Sequence, residues 1–451
     1  MAIADQLADH LTSLRFEDLP SDTIHAAKRL ILDTLGAARA GAAEPGCAEV
    51  TAAVGAIEGT DGPCTVWSTG KRTTPAAAAL INGTCAAALD FDSLHFDGIV
   101  HPEIVTLPAA LALAEREGRS GRDLIVAVVA GSDLMCRIAL STERNSPFFA
   151  TSSAGAFGAA AAAGIALGLD RTQMRNALGL ALCQSSGTLQ AIVEKTLAKR
   201  MQSAFAARNG VYAAELARHG ITGPAESMEG PGGYYTAFEA GNPAVLLEGL
   251  GKRFETGNIG IKKYPSCACN HAAIEAASRL VGANRLAAKD IDNVTVRITP
   301  YMNTLVGAAF DPSRNPQVAA QFSVQYSVAA VLARGAFKLA DITPERVCDP
   351  EIGRLARSVT VEIDNRSDGA LTPASVRITA GDRVLEETIS AVPGSANAPL
   401  SDDEVMAKFR DCLGFGPAAL PDARAKSLAE ALVHLEQIER LDEFLPAGLA
   451  A

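Results

Sequence analysis

One short segment combines carboxylates with histidines, the side chains best suited to moving a proton near neutral pH. Asp90, Asp92, His95, Asp97 and His101 lie within twelve residues of one another. Histidine can act as a general acid or base at this pH, and a neighbouring carboxylate can orient its ring. A hydrated loop with capping aspartates would explain the same pattern. A metal site is a third interpretation, although the spacing matches no known metal motif.

Two adjacent cations, Lys199 and Arg200, stand at the start of a predicted helix that is rich in small residues. Small side chains allow helices to pack closely, so this helix is expected to be buried. Cations in such a place could bind a substrate carboxylate and stabilise an enediolate. A solvated helix end explains the same pair equally well.

A third segment places four polar side chains at the start of another predicted helix. They are Lys262, Tyr264, Ser266 and His271. The free N–H groups of a helix N-terminus bind anions, so this segment could hold a carboxylate. Cys267 and Cys269 together with His271 suggest a metal site, but the spacing is too tight for a zinc finger and no second cysteine pair follows. We therefore predict that both cysteines are structural.

A later amphipathic helix carries Gln321, Ser323 and Tyr326, a pattern that on its own predicts core packing. The glycines form neither a dinucleotide fingerprint nor a P-loop, and the sequence has no nucleophile elbow. Nucleotide-dependent and acyl-serine chemistry are therefore not supported.

The elements that position these segments are mostly helices. Apolar periodicity and capping residues predict helices over 23–39, 154–168, 171–183, 201–219, 271–281, 318–334 and 422–441. Alternation of valine, isoleucine and threonine with polar residues predicts strands over 293–299, 358–364 and 375–379. The order of these elements therefore separates a helical part from a later part that mixes helices with strands.

This order predicts a mainly α fold. A large all-helical domain would be formed by both chain ends, residues 1–257 and 394–451, with a smaller α+β lid domain, residues 258–393, inserted between them. A cleft between two such units is where a small-molecule site is expected.

Composition and charge exclude several classes of function. The 451 residues are 48% hydrophobic, enough for a large core, and 40 basic against 51 acidic residues give a net charge of −11. Such an acidic chain is a poor nucleic-acid binder. The apolar stretch 154–169 is too rich in alanine and glycine for a lipid span, and the N-terminus lacks a signal-peptide pattern, which together predict a cytoplasmic protein. Nine dispersed cysteines predict reduced thiols.

Taken together, these segments resemble the MmgE/PrpD family, which contains 2-methylcitrate dehydratase, cis-aconitate decarboxylase and iminodisuccinate epimerase. The matching motifs occur in family order and are DFDSLHFDGIVHPE, AGAFGAAAAAG, AKRMQSAFAARNGV, KKYPSCACNHAAIEA and AQFSVQYSVAAVL. The resemblance implies a helical domain with an α+β lid, usually as a homodimer, and a cofactor-free site between the domains. It places Asp90, His101, Lys199, Lys262 and Tyr326 in that site.

Within this resemblance, we hypothesise that His101 is the acid or base and that Asp90 orients it. Lys199 and Lys262 would bind carboxylates, and Tyr326 would hold or protonate the leaving group. Further substrate contacts are expected from Arg200, Tyr264, Ser266, His271 and His95. Crowding of Lys199, Arg200 and Lys262 would lower the pKa of the lysines, because like charges disfavour one another.

The chain departs from the family pattern at two positions. Phe149 stands where many relatives have a histidine, and Leu94 stands where cis-aconitate decarboxylases tend to have threonine. Both changes enlarge the apolar part of the pocket and argue against decarboxylation of cis-aconitate. The predicted function is therefore a lyase that removes water from a citrate-like polycarboxylate without metal or cofactor. The alternatives are an epimerase or isomerase of a dicarboxylate such as iminodisuccinate, a decarboxylase of cis-aconitate, which the two departures disfavour, and a non-catalytic helical binding protein.

Overall fold

A computed structural model describes residues 2–143, 146–367, 369–416 and 419–449. The fold is mainly α, as predicted, with one four-stranded sheet and two short two-stranded pairs among these residues.

Helices dominate the first half of the chain. They are α1 (Ile3–Ser13), α2 (Ser21–Gly41), α3 (Cys47–Glu58), α4 (Pro75–Ala87), α5 (Glu103–Arg116), α6 (Gly121–Leu140), α7 (Ala150–Ser153), α8 (Gly155–Leu167), α9 (Arg171–Leu182), α10 (Gln190–Val193), α11 (Ala198–Arg218) and α12 (Tyr234–Ala237). The short strands here are β1 (Cys64–Thr65), β2 (Arg72–Thr73) and β3 (Leu94–His95). The predicted helices over 154–168, 171–183 and 201–219 correspond to α8, α9 and α11.

Small residues bring the central helices close together. Helix α8 packs against α5, α6 and α11. A Cβ placed on Gly210 in α11 would lie only 2.4 Å from the Cβ of Ala159 in α8, so this contact requires glycine. The stretch Ala150–Leu167 is the one described segment long and apolar enough to cross a membrane, and 89% of it is buried inside the protein. It therefore serves as the core helix of this part of the fold.

The later part of the chain mixes helices and strands. The helices are α13 (Ala268–Asn284), α14 (Pro300–Val306), α15 (Pro316–Gln321), α16 (Val324–Arg334), α17 (Pro344–Val347) and α18 (Pro350–Ser358), and the strands are β4 (Ile259–Gly260), β5 (Asn293–Ile298), β6 (Val359–Ile363), β7 (Ala374–Ala380) and β8 (Arg383–Ile389). The single helix predicted over 318–334 is wrong. It is divided at Ser323, whose hydroxyl caps α16 by accepting a hydrogen bond from the N–H of Tyr326.

The sheet has strand order β6–β5–β7–β8. Strands β5 and β6 run parallel, whereas β5–β7 and β7–β8 are antiparallel. Val296 of β5 lies opposite Val376 of β7, and both are buried in a second hydrophobic core that also contains Ala273 and Ala277 of α13. The alternating pattern that predicted strands thus has one face packed against a helix.

The C-terminal helices α19 (Asp402–Leu413), α20 (Asp422–Val433) and α21 (Leu441–Leu449) follow the sheet. Both α19 and α20 pack against α2, and Gly36 of α2 leaves room for the ring of Phe409 in α19. Ser401 and Glu404 form a capping box that starts α19. The division into domains at residues 257 and 393 stays a prediction.

Candidate active site

A cavity of about 460 Å³ has four of the predicted catalytic residues in its wall, Asp90, His101, Lys199 and Lys262. Two features of the fold bring them together. Strand β3 pairs with β4, which places the segment 90–101 beside Lys262. Helix α11, which carries Lys199 in its first turn, packs along α4, and α4 ends three residues before Asp90.

The Asp90 carboxylate is held between two ammonium groups. The Lys199 Nζ lies 2.5 Å and the Lys262 Nζ 3.3 Å from Asp90 Oδ1. Lys262 also donates a 2.9 Å hydrogen bond to the Asp90 carbonyl oxygen. Burial alone would raise the pKa of Asp90, but Lys199 and Lys262 outweigh it and hold this pKa well below its usual range. The carboxylate is therefore ionised at every pH at which the protein is expected to work.

A second carboxylate orients the histidine. Asp92 Oδ2 lies 2.6 Å from His101 Nδ1, and the Ser93 carbonyl oxygen lies 3.1 Å from the same nitrogen. Both partners accept, so Nδ1 carries a hydrogen and Nε2 is the nitrogen left to exchange a proton with substrate. Asp92 is fully buried; burial raises its pKa, but His101 and Lys262 bring the value down to about 2.

Two hypotheses about this network are corrected by its geometry. Asp92, not Asp90, orients His101, because Asp90 adopts a left-handed backbone conformation with φ of 50° and its carboxylate faces the lysines. The pKa of Lys262 is raised, not lowered. Burial lowers it, but the Asp90 and Asp92 carboxylates more than compensate.

Arg200 lies outside the cavity wall. Its guanidinium is buried and donates a 2.6 Å hydrogen bond to the Pro45 carbonyl oxygen and a 3.3 Å bond to Gln317 Oε1. Successive residues of a helix point about 100° apart, so Lys199 can face the cavity while Arg200 faces the protein interior. Arg200 therefore donates its hydrogen bonds to Pro45 and Gln317 and does not line the cavity with the lysine pair.

Both tyrosines with predicted roles are also displaced from the cavity. Tyr326 is fully buried, and its hydroxyl donates a hydrogen bond to the Asp341 carbonyl oxygen. Tyr264 donates a 2.7 Å hydrogen bond to Glu275 Oε2 and lines a different cavity. Neither hydroxyl is positioned to hold a leaving group in the cavity that contains His101.

The remaining residues predicted to contact substrate do not line the cavity. His95 Nε2 is 3.4 Å from Glu255 Oε2, and its Nδ1 accepts a hydrogen bond from the Gly98 N–H. His271 is fully buried, which lowers its pKa to about 3, and its Nε2 lies 3.2 Å from the Ser266 carbonyl oxygen. The Ser266 hydroxyl donates to the Gln321 carbonyl oxygen. These groups shape the loops that carry the site.

Sequence reasoning missed several residues of the site. Cys267 and Cys269, assigned a structural role, line the cavity at the N-terminus of α13. Glu103 is fully buried, two residues after His101, and its carboxylate accepts hydrogen bonds from the hydroxyls of Ser93 and Ser132. Burial raises the pKa of Glu103 to about 7. The sequence signal that could have identified Glu103 is its position directly after the His101-Pro102 pair.

Comparison with known proteins identifies the family of the chain. Profiles of the MmgE/PrpD N-terminal and C-terminal domains match residues 5–246 and 264–435. The chain belongs to the MmgE/PrpD family. Its curated relatives include the cis-aconitate decarboxylase-like protein oryM of Aspergillus oryzae, 29% identical over 98% of this chain and 96% of the relative. A cis-aconitate decarboxylase of Aspergillus terreus is 28% identical over 98% and 95%, and the human cis-aconitate decarboxylase is 27% identical over 91% and 87%. Membership in the MmgE/PrpD family and these relatives indicate an enzyme of the lyase type.

Proposed function

We propose that this MmgE/PrpD protein decarboxylates an unsaturated polycarboxylate of the cis-aconitate class. The observation that carries the proposal is the network in one cavity, in which Asp90 is held between Lys199 and Lys262 and Asp92 holds His101. The names of the curated relatives support decarboxylation over the dehydration that sequence reasoning favoured.

The reaction makes two demands on the protein. When the bond between a CH2 group and its carboxylate breaks, CO2 leaves and the electron pair forms a new double bond to the central carbon. The original double-bond pair moves to the carbon beside another carboxylate, and that carbon takes a proton. Cations are therefore needed where the second carboxylate gains charge, and an acid is needed beside the receiving carbon.

The lysines meet the first demand. Both ammonium groups lie at the cavity wall, and Lys262 stays protonated because Asp90 and Asp92 raise its pKa. Helix α13 begins at Ala268 in the same wall, and the positive end of its dipole favours a bound anion.

His101 meets the second demand. With Nδ1 bound to Asp92, the Nε2–H of the imidazolium delivers the proton to carbon. Asp92 stabilises the imidazolium, as a buried carboxylate does beside a catalytic histidine. Dehydration would also need an acid for the departing hydroxide, and Tyr326, which was expected to supply it, is bound to Asp341 away from the cavity. This placement favours decarboxylation.

The test is incubation of the purified protein with cis-aconitate, 2-methylcitrate, citrate and iminodisuccinate in deuterated water, followed by NMR and CO2 measurement. Decarboxylation releases one CO2 for each substrate consumed and places one deuterium on the carbon that was protonated. Water loss without CO2 would overturn the proposal in favour of a dehydratase, and deuterium exchange without net conversion would favour an epimerase. His101→Asn is the matched inactive control.

A homodimer, which the resemblance implies, and a cytoplasmic location, which the sequence predicts, belong to the same proposal. Light scattering coupled to gel filtration tests the assembly state, and a monomer at micromolar concentration would contradict it.

A further inference from the structure

The cavity that holds the lysine pair is also lined by large apolar side chains. Five apolar side chains form what we call the apolar wall: Phe148, Phe149, Leu189, Ile192 and Leu305. Among the described lining residues, the lysines of the cavity are Lys199 and Lys262, and both contact Asp90. The apolar wall therefore offers no described lysine or arginine to a distant carboxylate.

Backbone pairing shows that most of the apolar wall is one continuous surface. The N–H of Phe149 donates to the Gly187 carbonyl oxygen at 3.1 Å, and the N–H of Leu189 donates to the Pro147 carbonyl oxygen at 2.9 Å. Ile192 follows Leu189 one helical turn later, with its N–H bonded to the Leu189 carbonyl oxygen. Two adjacent chain segments thus present neighbouring apolar side chains to the same space.

Part of the apolar wall is core packing, because Phe149 is buried and Ile192 and Leu305 pack against the second hydrophobic core, but the burial is incomplete. Leu189 remains 39% exposed, and Phe148 and Ile192 are only half-buried. Large apolar side chains that line a cavity without being buried by the protein indicate a surface that an apolar ligand covers.

We propose that the natural substrate is an alkyl-substituted polycarboxylate, with its carboxylates at Lys199 and Lys262 and an alkyl chain of several carbons against the apolar wall. This inference rests on the proposed function, because it places the reacting carboxylates at the same lysine pair. The carboxylates of the acid lie against the lysine pair, and the alkyl chain is attached to the carbon that loses CO2. Atoms balance as for the unsubstituted acid: CO2 leaves, and one proton is added.

The test measures kcat/KM for CO2 release from cis-aconitate and from analogues that carry methyl, propyl, butyl and hexyl groups on the carbon that loses CO2. Burial of each methylene should raise kcat/KM roughly fourfold until the apolar wall is covered. The double variant Leu189→Ser with Ile192→Ser should flatten this dependence. Val193→Ser is the matched control, because Val193 is a neighbouring apolar residue of α10 that is 71% exposed and does not line the cavity.

The outcomes separate this inference from the proposed function. CO2 release that is as efficient from cis-aconitate as from the butyl analogue would overturn the inference and leave the proposed function standing. If neither cis-aconitate nor any of its alkyl analogues releases CO2, the proposed function fails. The inference is then tested by calorimetric binding of alkylsuccinates of increasing chain length. A Kd that falls roughly fourfold per methylene, and does so less in the double variant, supports it; a Kd independent of chain length refutes it.

Discussion

Replacement of Asp92 by asparagine tests which carboxylate governs His101. The substitution keeps the size of the side chain and removes the charge 2.6 Å from His101 Nδ1. The imidazolium would then form without its buried partner, while the lysine pair at Asp90 would keep its closest contacts.

The magnitude follows from the charge separation. Two unit charges with centres about 4 Å apart attract by about 4 kcal/mol at an effective dielectric constant of about 20. If the whole of this attraction is lost in the transition state, turnover falls about a thousandfold, so we expect a loss of roughly 10²–10³. The loss should fall on kcat, because the charge on Asp92 stabilises the protonated ring in the step that transfers the proton.

The assay is kcat and KM for CO2 release between pH 5.5 and 9, with Asp97→Asn as the matched control. Asp97 belongs to the same segment but is exposed and does not line the cavity. Asp90→Asn should raise KM more than Asp92→Asn does, because it disturbs the lysines that bind substrate. A normal kcat in Asp92→Asn, combined with a large loss of kcat in Asp90→Asn, would show that the assignment of the two carboxylates is reversed.

Lys408→Met should lower the free energy of unfolding by about 3–5 kcal/mol in urea titrations, because Lys408 Nζ lies 2.7 Å from the buried Asp33 carboxylate and donates to the Phe91 carbonyl oxygen. The double variant with Asp33→Asn should recover part of this loss, and equal losses in the single and double variants would contradict the pairing. Glu103 has a folded-state pKa of about 7 against an ordinary 4.5, so its stabilising contribution is complete below pH 4.5 and about 3 kcal/mol of it is lost as pH rises through 7. Glu103→Gln should flatten the unfolding free energy over that interval, whereas an unchanged slope would refute the shift. Turnover should survive exhaustive chelation, and a loss reversed only by an added metal ion would show that the carboxylates and histidines serve as ligands.

Local pattern was sufficient to find the residues that meet in the cavity. Asp90, His101, Lys199 and Lys262 were each singled out by residue type and by motif order, and the structure brings all four to one wall. The strands and the central helices were also predictable, because period-two alternation and runs of small residues reflect packing that the sequence itself specifies.

The direction in which each side chain points was not predictable. The left-handed conformation of Asp90 turns its carboxylate to the lysines, and no feature of the spacing specifies that angle. Arg200 and Tyr326 were assigned by adjacency and by resemblance, yet both bind to main-chain oxygens that are distant in sequence or outside the motif. Where such side chains point is decided by contacts that form only in the folded protein.

Lys199 and Lys262 differ in exposure and in the number of their partners, which implies different roles. Lys262 is 1% exposed and is fixed by three oxygens, the carbonyl and carboxylate of Asp90 and, at 3.8 Å, the carboxylate of Asp92. A cation so enclosed stays in place and acts on the substrate through its electrostatic field, because moving it would leave two buried carboxylates without their shared partner. Lys199 is 15% exposed, is bound to Asp90 alone among the carboxylates, and lies 5.8 Å from the ring of Phe322. Lys199 is therefore the cation that can turn from Asp90 to an arriving carboxylate, while Lys262 keeps Asp90 charged and in place.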